Sequence, residues 1–234
     1  MAKKIILNKT LTAFLLVLFL SFSSLSLAVE DAVQNYIEKG NTALKYADYN
    51  DAIENYNKAA SIDPNNAQIY FYLGNTYNQL AESESYNEYW GIYSLNKDHG
   101  KAVKYYEKAL TLNSNFTDAR IPLAGIYTDL GSAFFDKTDF EYSSTDLHNA
   151  EKHYRKALSY YPDYPEALLK LGAIYSAFAA SGYSCPGHRF NITSRGCRKL
   201  AQEYFVKAQS INPGYEKLIQ KYSNWDYKIQ RIGY

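Results

Sequence analysis

The sequence predicts an all-α protein, a right-handed α-solenoid of four helical hairpins closed by a C-terminal capping helix. Three observations predict it. A short pattern recurs four times, as Ala52…Tyr56-Asn57-Lys58-Ala59, Ala102…Tyr106-Glu107-Lys108-Ala109, Ala150…Tyr154-Arg155-Lys156-Ala157 and Ala201…Phe205-Val206-Lys207-Ala208. Each copy is followed by an apolar residue and a helix stop: Ile62 with Pro64, Leu112 with Ser114, Tyr160 with Pro162, Ile211 with Pro213. Ahead of each copy lies a second stripe, clearest as Tyr70, Leu73, Gly74, Tyr77, Leu80 and as Leu168, Leu171, Gly172, Tyr175, Phe178. Arg120, Leu123, Ala124, Tyr127, Leu130 reads as a weaker copy, and Tyr36, Gly40, Ala43 as the weakest.

These spacings carry physical meaning. Apolar residues at i, i+3, i+4 and i+7 make one stripe along a helix. Small residues such as Gly74, Ala52 and Ala59 let two helices approach, and the large rings fill the space between them. A proline just past the second helix ends it and turns the chain into the next unit. Each unit is then an antiparallel helix pair that buries its stripe only against a neighbouring pair.

With these residues in view, the chain resembles the tetratricopeptide-repeat family, whose pattern of aromatic, Leu-Gly, Tyr, then Ala-x3-Phe/Tyr, Ala and Pro recurs on a unit of about 34 residues. The resemblance covers residues 33–213, read as units 33–66, 67–116, 117–164 and 165–215. Departures are Lys39 for a leucine in the first unit, Ser114 for the second unit's proline, and Pro122 early in the third. The second-helix alanines at 52, 102, 150 and 201 are spaced more widely than the family period, leaving roughly 16, 14 and 17 extra residues in the last three units. The expectation is that each insertion falls between the unit's two helices.

Taken in order, residues 1–28 read as an export signal. Lys3, Lys4 and Lys9 form a basic head, Leu11 to Phe22 an apolar core, and Ser26-Leu27-Ala28 a small-x-small cleavage site. The other reading is an uncleaved membrane anchor, although the apolar run is shorter than the roughly 20 residues that span a bilayer. In the third unit Leu130, Phe134 and Phe135 continue the stripe and favour a longer hairpin, whereas Ala180-Ser181-Gly182 and Pro186-Gly187 favour a loop in the fourth. Residues 216–234 read as the capping helix, with Leu218, Tyr222, Trp225 and Ile229 on its inner face.

Charge and motif content narrow the function classes. Three of 25 basic residues and none of 24 acidic ones fall within 1–28, leaving 22 against 24 in the mature chain. That balance gives no electrostatic reason to bind nucleic acid. The sequence carries no Gly-x-Ser-x-Gly, His-Glu-x-x-His, P-loop or dinucleotide fingerprint, so neither catalysis nor a cofactor is expected. Cys185 and Cys197 read as one local disulfide in a periplasmic or secreted protein. A metal site of Cys185, His188 and Cys197 is the competing reading, with three ligands and no fourth. Asn115-Phe116-Thr117 and Asn191-Ile192-Thr193 fit the N-glycosylation pattern.

Two surfaces are candidates for a protein or peptide partner. The resemblance implies a concave groove lined by the first helix of each unit. Its residues here are Ile37, Asn41, Gln68, Phe71, Asn75, Asn78, Asp118, Ile121, Thr128, Glu166, Leu169 and Ser176. The family's basic clamp for acidic peptide termini is missing, since Ile37, Tyr72, Asp118 and Pro122 stand in those places. The second surface is an aromatic edge in the insertions: Tyr86, Tyr89, Trp90, Tyr93, Phe140, Tyr142 and Tyr183. Tyr and Trp suit interfaces, but the same rings could equally pack the insertions together. The function these readings imply is an exported scaffold that binds a protein partner. The alternatives are a self-assembling subunit built through the aromatic insertions, or an accessory to a redox or metal complex.

Overall fold

The computed structural model describes residues 26–85, 91–135, 144–181, 185 and 193–224; residues 1–25 of the export segment and most of the aromatic insertions lie outside them. Every regular element among the described residues is helical. Residues 26–45 form α1, followed by α2 (Tyr49–Ile62), α3 (Ala67–Ser85), α4 (Gly91–Leu112), α5 (Arg120–Phe135), α6 (Ser144–Tyr160), α7 (Pro165–Ser181), α8 (Ser194–Ile211) and α9 (Glu216–Ser223). Short 3-10 turns at Thr117–Ala119 and Pro213–Tyr215 lead into α5 and α9.

Consecutive helices pair as hairpins, α3 on α4, α5 on α6 and α7 on α8, and each second helix packs on the first helix of the next unit. The result is a helical solenoid. The α1–α2 turn is tight enough to hold Ala47 at φ 58, in the left-handed region.

A ring over a glycine sets the register of every hairpin. A Cβ on Gly40 would fall 2.4 Å from the Tyr56 ring, one on Gly74 2.6 Å from Tyr106, one on Gly131 2.6 Å from Tyr154, and one on Gly172 2.4 Å from Phe205. Only glycine allows that approach. The alanines of the recurring pattern are buried around these rings, among them Ala52 and Ala59 in α2 and Ala102 and Ala109 in α4.

This register corrects the reading of the third unit. Its signature is Tyr127, Leu130, Gly131 and Phe134, seven residues downstream of the expected Arg120, Leu123, Ala124 and Tyr127. Phe134 and Tyr127 both stack on His153 of α6, as Tyr77 and Tyr70 stack on Tyr105 of α4. Seven residues are close to two helical turns, so a slip of that size leaves the apolar stripe in phase and the pattern nearly unchanged. The extra turns carry Leu123 and Ile126, which pack beneath α4 with Ala102, Tyr106 and Ala109.

The insertions are therefore not all in one place. From glycine to covering ring is 16 residues in the first unit, 32 in the second, 23 in the third and 33 in the fourth. The third unit spends half of its extra length ahead of its signature glycine rather than between its helices.

Candidate protein-docking surface

The family resemblance puts the first helices, α1, α3, α5 and α7, on the inner surface of the solenoid. Each glycine is followed by a residue that faces the tip of the covering ring. Tyr56 Oη donates to Asn41 Oδ1 at 2.8 Å, and Tyr106 Oη donates to Asn75 Oδ1 at 2.7 Å. In the third unit Ser132 and Tyr154 share a hydroxyl–hydroxyl bond of 3.2 Å. In the fourth both polar groups vanish together: the ring is Phe205 and the residue after the glycine is Ala173. Burial raises the phenol pKa of Tyr56 and Tyr106, so both stay neutral donors.

This arrangement uses one end of each predicted amide and leaves the other. The Nδ2 groups of Asn41 and Asn75 make no hydrogen bond among the described residues, while Asn78 Nδ2 donates to Glu82 at 2.8 Å. An amide fixed through its oxygen presents two N–H donors in a set orientation.

The remaining groove residues divide. Gln68, Phe71, Glu166 and Ser176 are half-buried, and Asp118 and Ile121 are exposed. Three of the predicted residues are corrected by burial. Ile37 lies in the first core cluster with Val33, Ala52 and Tyr56. Thr128 is fully buried and returns its hydroxyl to Ala124 O at 2.7 Å. Leu169 is only 2% exposed within the largest core. Phe71 packs between units, edge-on to Phe116 at 5.3 Å. Asp118 and Ile121 belong to the extra turns of the third unit, which the two-turn slip mistook for its groove positions.

With the register corrected, an unexpected group appears. Asp129 occupies the helix position of Tyr72 and Lys170, two residues past Tyr127, Tyr70 and Leu168 respectively. Asp129 is exposed as a residue, yet the protein crowded about its carboxyl, and then Glu166 and Glu82, push that group up to about 6, with Lys170 opposing. Burial, then Glu166 and Asp129, raise the phenol of Tyr164 as well. The inner face of α3, α5 and α7 is thus locally acidic. Correct alignment of the third unit is the signal that would have placed Asp129 there.

Helix α9 also differs from expectation. Its inward residues are Ile219 and Tyr222, joined by Tyr215 from the preceding turn, whereas Leu218 is exposed. Trp225 and Ile229 lie outside the described residues. So do Tyr86, Tyr89, Trp90, Phe140, Tyr142 and Tyr183, and of Tyr93 only its place in α4 is described.

Cys185 and Cys197 are paired as a disulfide with Cα atoms 6.0 Å apart. Cys197 sits in the first turn of α8, whose N-cap Thr193 accepts from Gly196 N. Among the described residues no three His, Cys, Asp or Glu side chains stand together as a metal site, and His188 lies outside them. No described helix is long and apolar enough to cross a membrane.

Residues 47–80 match the family model of the TPR repeat, and residues 91–116 match that of the tetratricopeptide repeat. No curated protein matches the chain. Among solved structures the chain is similar to MamA, at 21% identity over 84% of this chain and 87% of that one, with a TM-score of 0.45. A TPR-repeats protein of Bacteroides fragilis aligns at 15% identity over 84% and 98%, with a TM-score of 0.40. The OM64 TPR domain of Arabidopsis aligns at 17% over 64% and 98%, with a TM-score of 0.39.

Proposed function

We propose that this chain, which belongs to the tetratricopeptide-repeat proteins, is an exported, non-catalytic scaffold that holds a protein partner across the inner face of α1, α3 and α5. The observation that carries the reading is the oriented amide pair, Asn41 and Asn75, each fixed through Oδ1 and left with open N–H donors. Such donors hold the backbone carbonyls of a guest chain without demanding a particular side chain. The acids beside them, Glu82, Asp129 and Glu166, favour a guest segment that carries lysine or arginine. Export is supported by the basic head, apolar core and small-x-small site of residues 1–28, and by a cysteine pair suited to an oxidising compartment.

The test is site-specific photo-crosslinking in the intact cell envelope, with the crosslinker at the exposed Gln79, one turn past Asn75, or at Asp129 and, as control, at the exposed Val206 of α8. A discrete adduct from the two inner positions, absent at Val206 and abolished by an Asn75→Lys substitution introduced alongside the crosslinker at 129, supports the reading. Adducts of equal yield from Val206 sink it. Mass spectrometry of the recovered chain checks the export component, which fails if residues 1–28 are present in a cytoplasmic fraction.

A further inference from the structure

The fourth unit breaks the pattern of the other three in one respect. The residue after each signature glycine is polar in the first three units, Asn41, Asn75 and Ser132, and is Ala173 in the fourth. One turn further on, Lys45 and Gln79 are exposed in the first two units, whereas the equivalent Ala177 is 1% exposed. Leu169, Ala173 and Ala177 make an apolar stripe at i, i+4 and i+8. It is separate from the face that receives Phe205 over Gly172 and from the face that meets α6 through Phe178 and His148. A stripe that is nonetheless fully buried needs a cover; besides α6 and α8, the described elements packed on α7 are α5 and α9, and Tyr215, Ile219 and Tyr222 join the same core cluster as the stripe.

The way α9 sits is informative. Each earlier first helix that follows a second helix packs firmly on it, as α3 does on α2 and α7 on α6. Helix α9 starts at the same distance from Pro213 as α3 from Pro64 and α7 from Pro165's preceding Pro162, yet it packs on α7 rather than on α8. Tyr222 reaches across to Phe135 of α5, with ring centroids 6.5 Å apart. That crossing carries α9 onto the inner side of the solenoid, over the last unit.

The structure assigns this inner face of the fourth unit as a helix-binding site, which the free chain fills with its own α9. The contacts define the ligand class. The face offered to α7 is Tyr215, Ile219 and Tyr222, an aromatic–aliphatic–aromatic series at i, i+4 and i+7, the spacing of an amphipathic helix in a groove. Lys217 and Lys221 remain exposed on the flank, and Tyr215 approaches Tyr164, which also senses Glu166 and Asp129. The external ligand is therefore a short amphipathic helix of a partner protein with the same apolar series and a basic flank, and it binds by displacing α9. A helix of eight residues is too short to be stable by itself and depends wholly on this docking, so its release leaves α1–α8 packed. The assignment rests on the scaffold reading above only for its biological use; the site is testable with no partner in hand.

The experiment uses the full chain and a fluorescent peptide of residues 213–224. In the parent chain the cis helix competes with the peptide, and Ile219→Asp with Tyr222→Asp in the chain removes that competition. The expected result is at least tenfold tighter peptide binding by the doubly substituted chain, with its helical content otherwise retained. Hydrogen exchange on the parent chain supplies a measurement that needs no variant: α9 amides exchange much faster than those of α7 and α8, reporting local opening. Equal peptide affinity for both chains, or α9 amides as protected as those of α7, overturns the assignment. Neither result bears on the open face over α1 to α5, which the crosslinking experiment tests separately.

Discussion

The ring of Tyr154 lies directly over the backbone of Gly131, so close that a Cβ on residue 131 would fall 2.6 Å from the ring edge. That contact fixes the third hairpin two turns away from where its sequence pattern points. It also fixes which side chains of α5 face the inner surface, Asp129 and Ser132 among them.

Gly131→Ala should therefore destabilise the chain by about 1–3 kcal/mol, since the ring of a fully buried tyrosine must move to admit the methyl group. Gly125→Ala in the same helix is the matched control. Its Cβ meets only Tyr164 Oη at 3.4 Å, so the gain in helix propensity of up to about 1 kcal/mol is kept. Thermal or urea unfolding of the two variants checks the register: a Gly131→Ala no more destabilising than Gly125→Ala would show that residue 131 does not lie under the ring.

Tyr106→Phe deletes the hydroxyl that Asn75 accepts at 2.7 Å and should cost about 0.5–1.5 kcal/mol. The reverse change in the fourth unit, Phe205→Tyr, places a hydroxyl beside Ala173, which offers no side-chain acceptor, and should destabilise as well. Equilibrium unfolding of both variants checks the point. A neutral Phe205→Tyr would show that the pairing of ring and following residue is not a stability rule here.

What the sequence disclosed and what it hid have different physical sources. The hairpins were legible because Ala52, Tyr56 and Ala59, or Ala102, Tyr106 and Ala109, are buried at the periodicity that defines a helix face. The third unit misled because a two-turn slip preserves that periodicity, and Leu123 is buried in either register. The inner face was legible only where it is polar and regular, at Asn41 and Asn75. Leu169 could not be recognised as covered, because the cover is a helix more than 40 residues further along whose inward face, Ile219 and Tyr222, is one position out of phase with Leu218.

Asp129 gives the inner face a defined pH response. Its folded-state pKa of about 6 lies above its ordinary 3.8, so between those values the folded chain holds a proton that the unfolded chain has released. Stability accordingly falls as pH rises from about 4 to about 6 and stays lower above that. Asp129→Asn should melt higher than the parent at pH 7.5, with the difference shrinking toward pH 4. His153, whose pKa is lowered by burial and by Lys152, works in the opposite direction, losing stability as pH falls through 6.5. It is common to both chains and cancels in the difference of their melting curves. A difference that is flat across pH 4 to 7.5 contradicts the assignment to Asp129.

The junction between the third and fourth units turns on one buried carboxylate. Glu151 of α6 accepts from Arg155 one turn along and from Tyr175 Oη of α7 at 2.9 Å, while Arg155 Nη2 donates to the same Tyr175 Oη at 2.5 Å. Glu151 is 6% exposed, so its charge is compatible with the core only through these two donors. Glu151→Ala strips the partner from both, though the partly exposed Arg155 can rehydrate, which holds the expected cost to about 2 kcal/mol. Because all three groups form one unit, Tyr175→Phe should cost much less in the Glu151→Ala background than in the parent. A double-mutant cycle by urea unfolding measures that coupling. Strictly additive losses would show that Glu151 and Tyr175 contribute independently rather than as one unit.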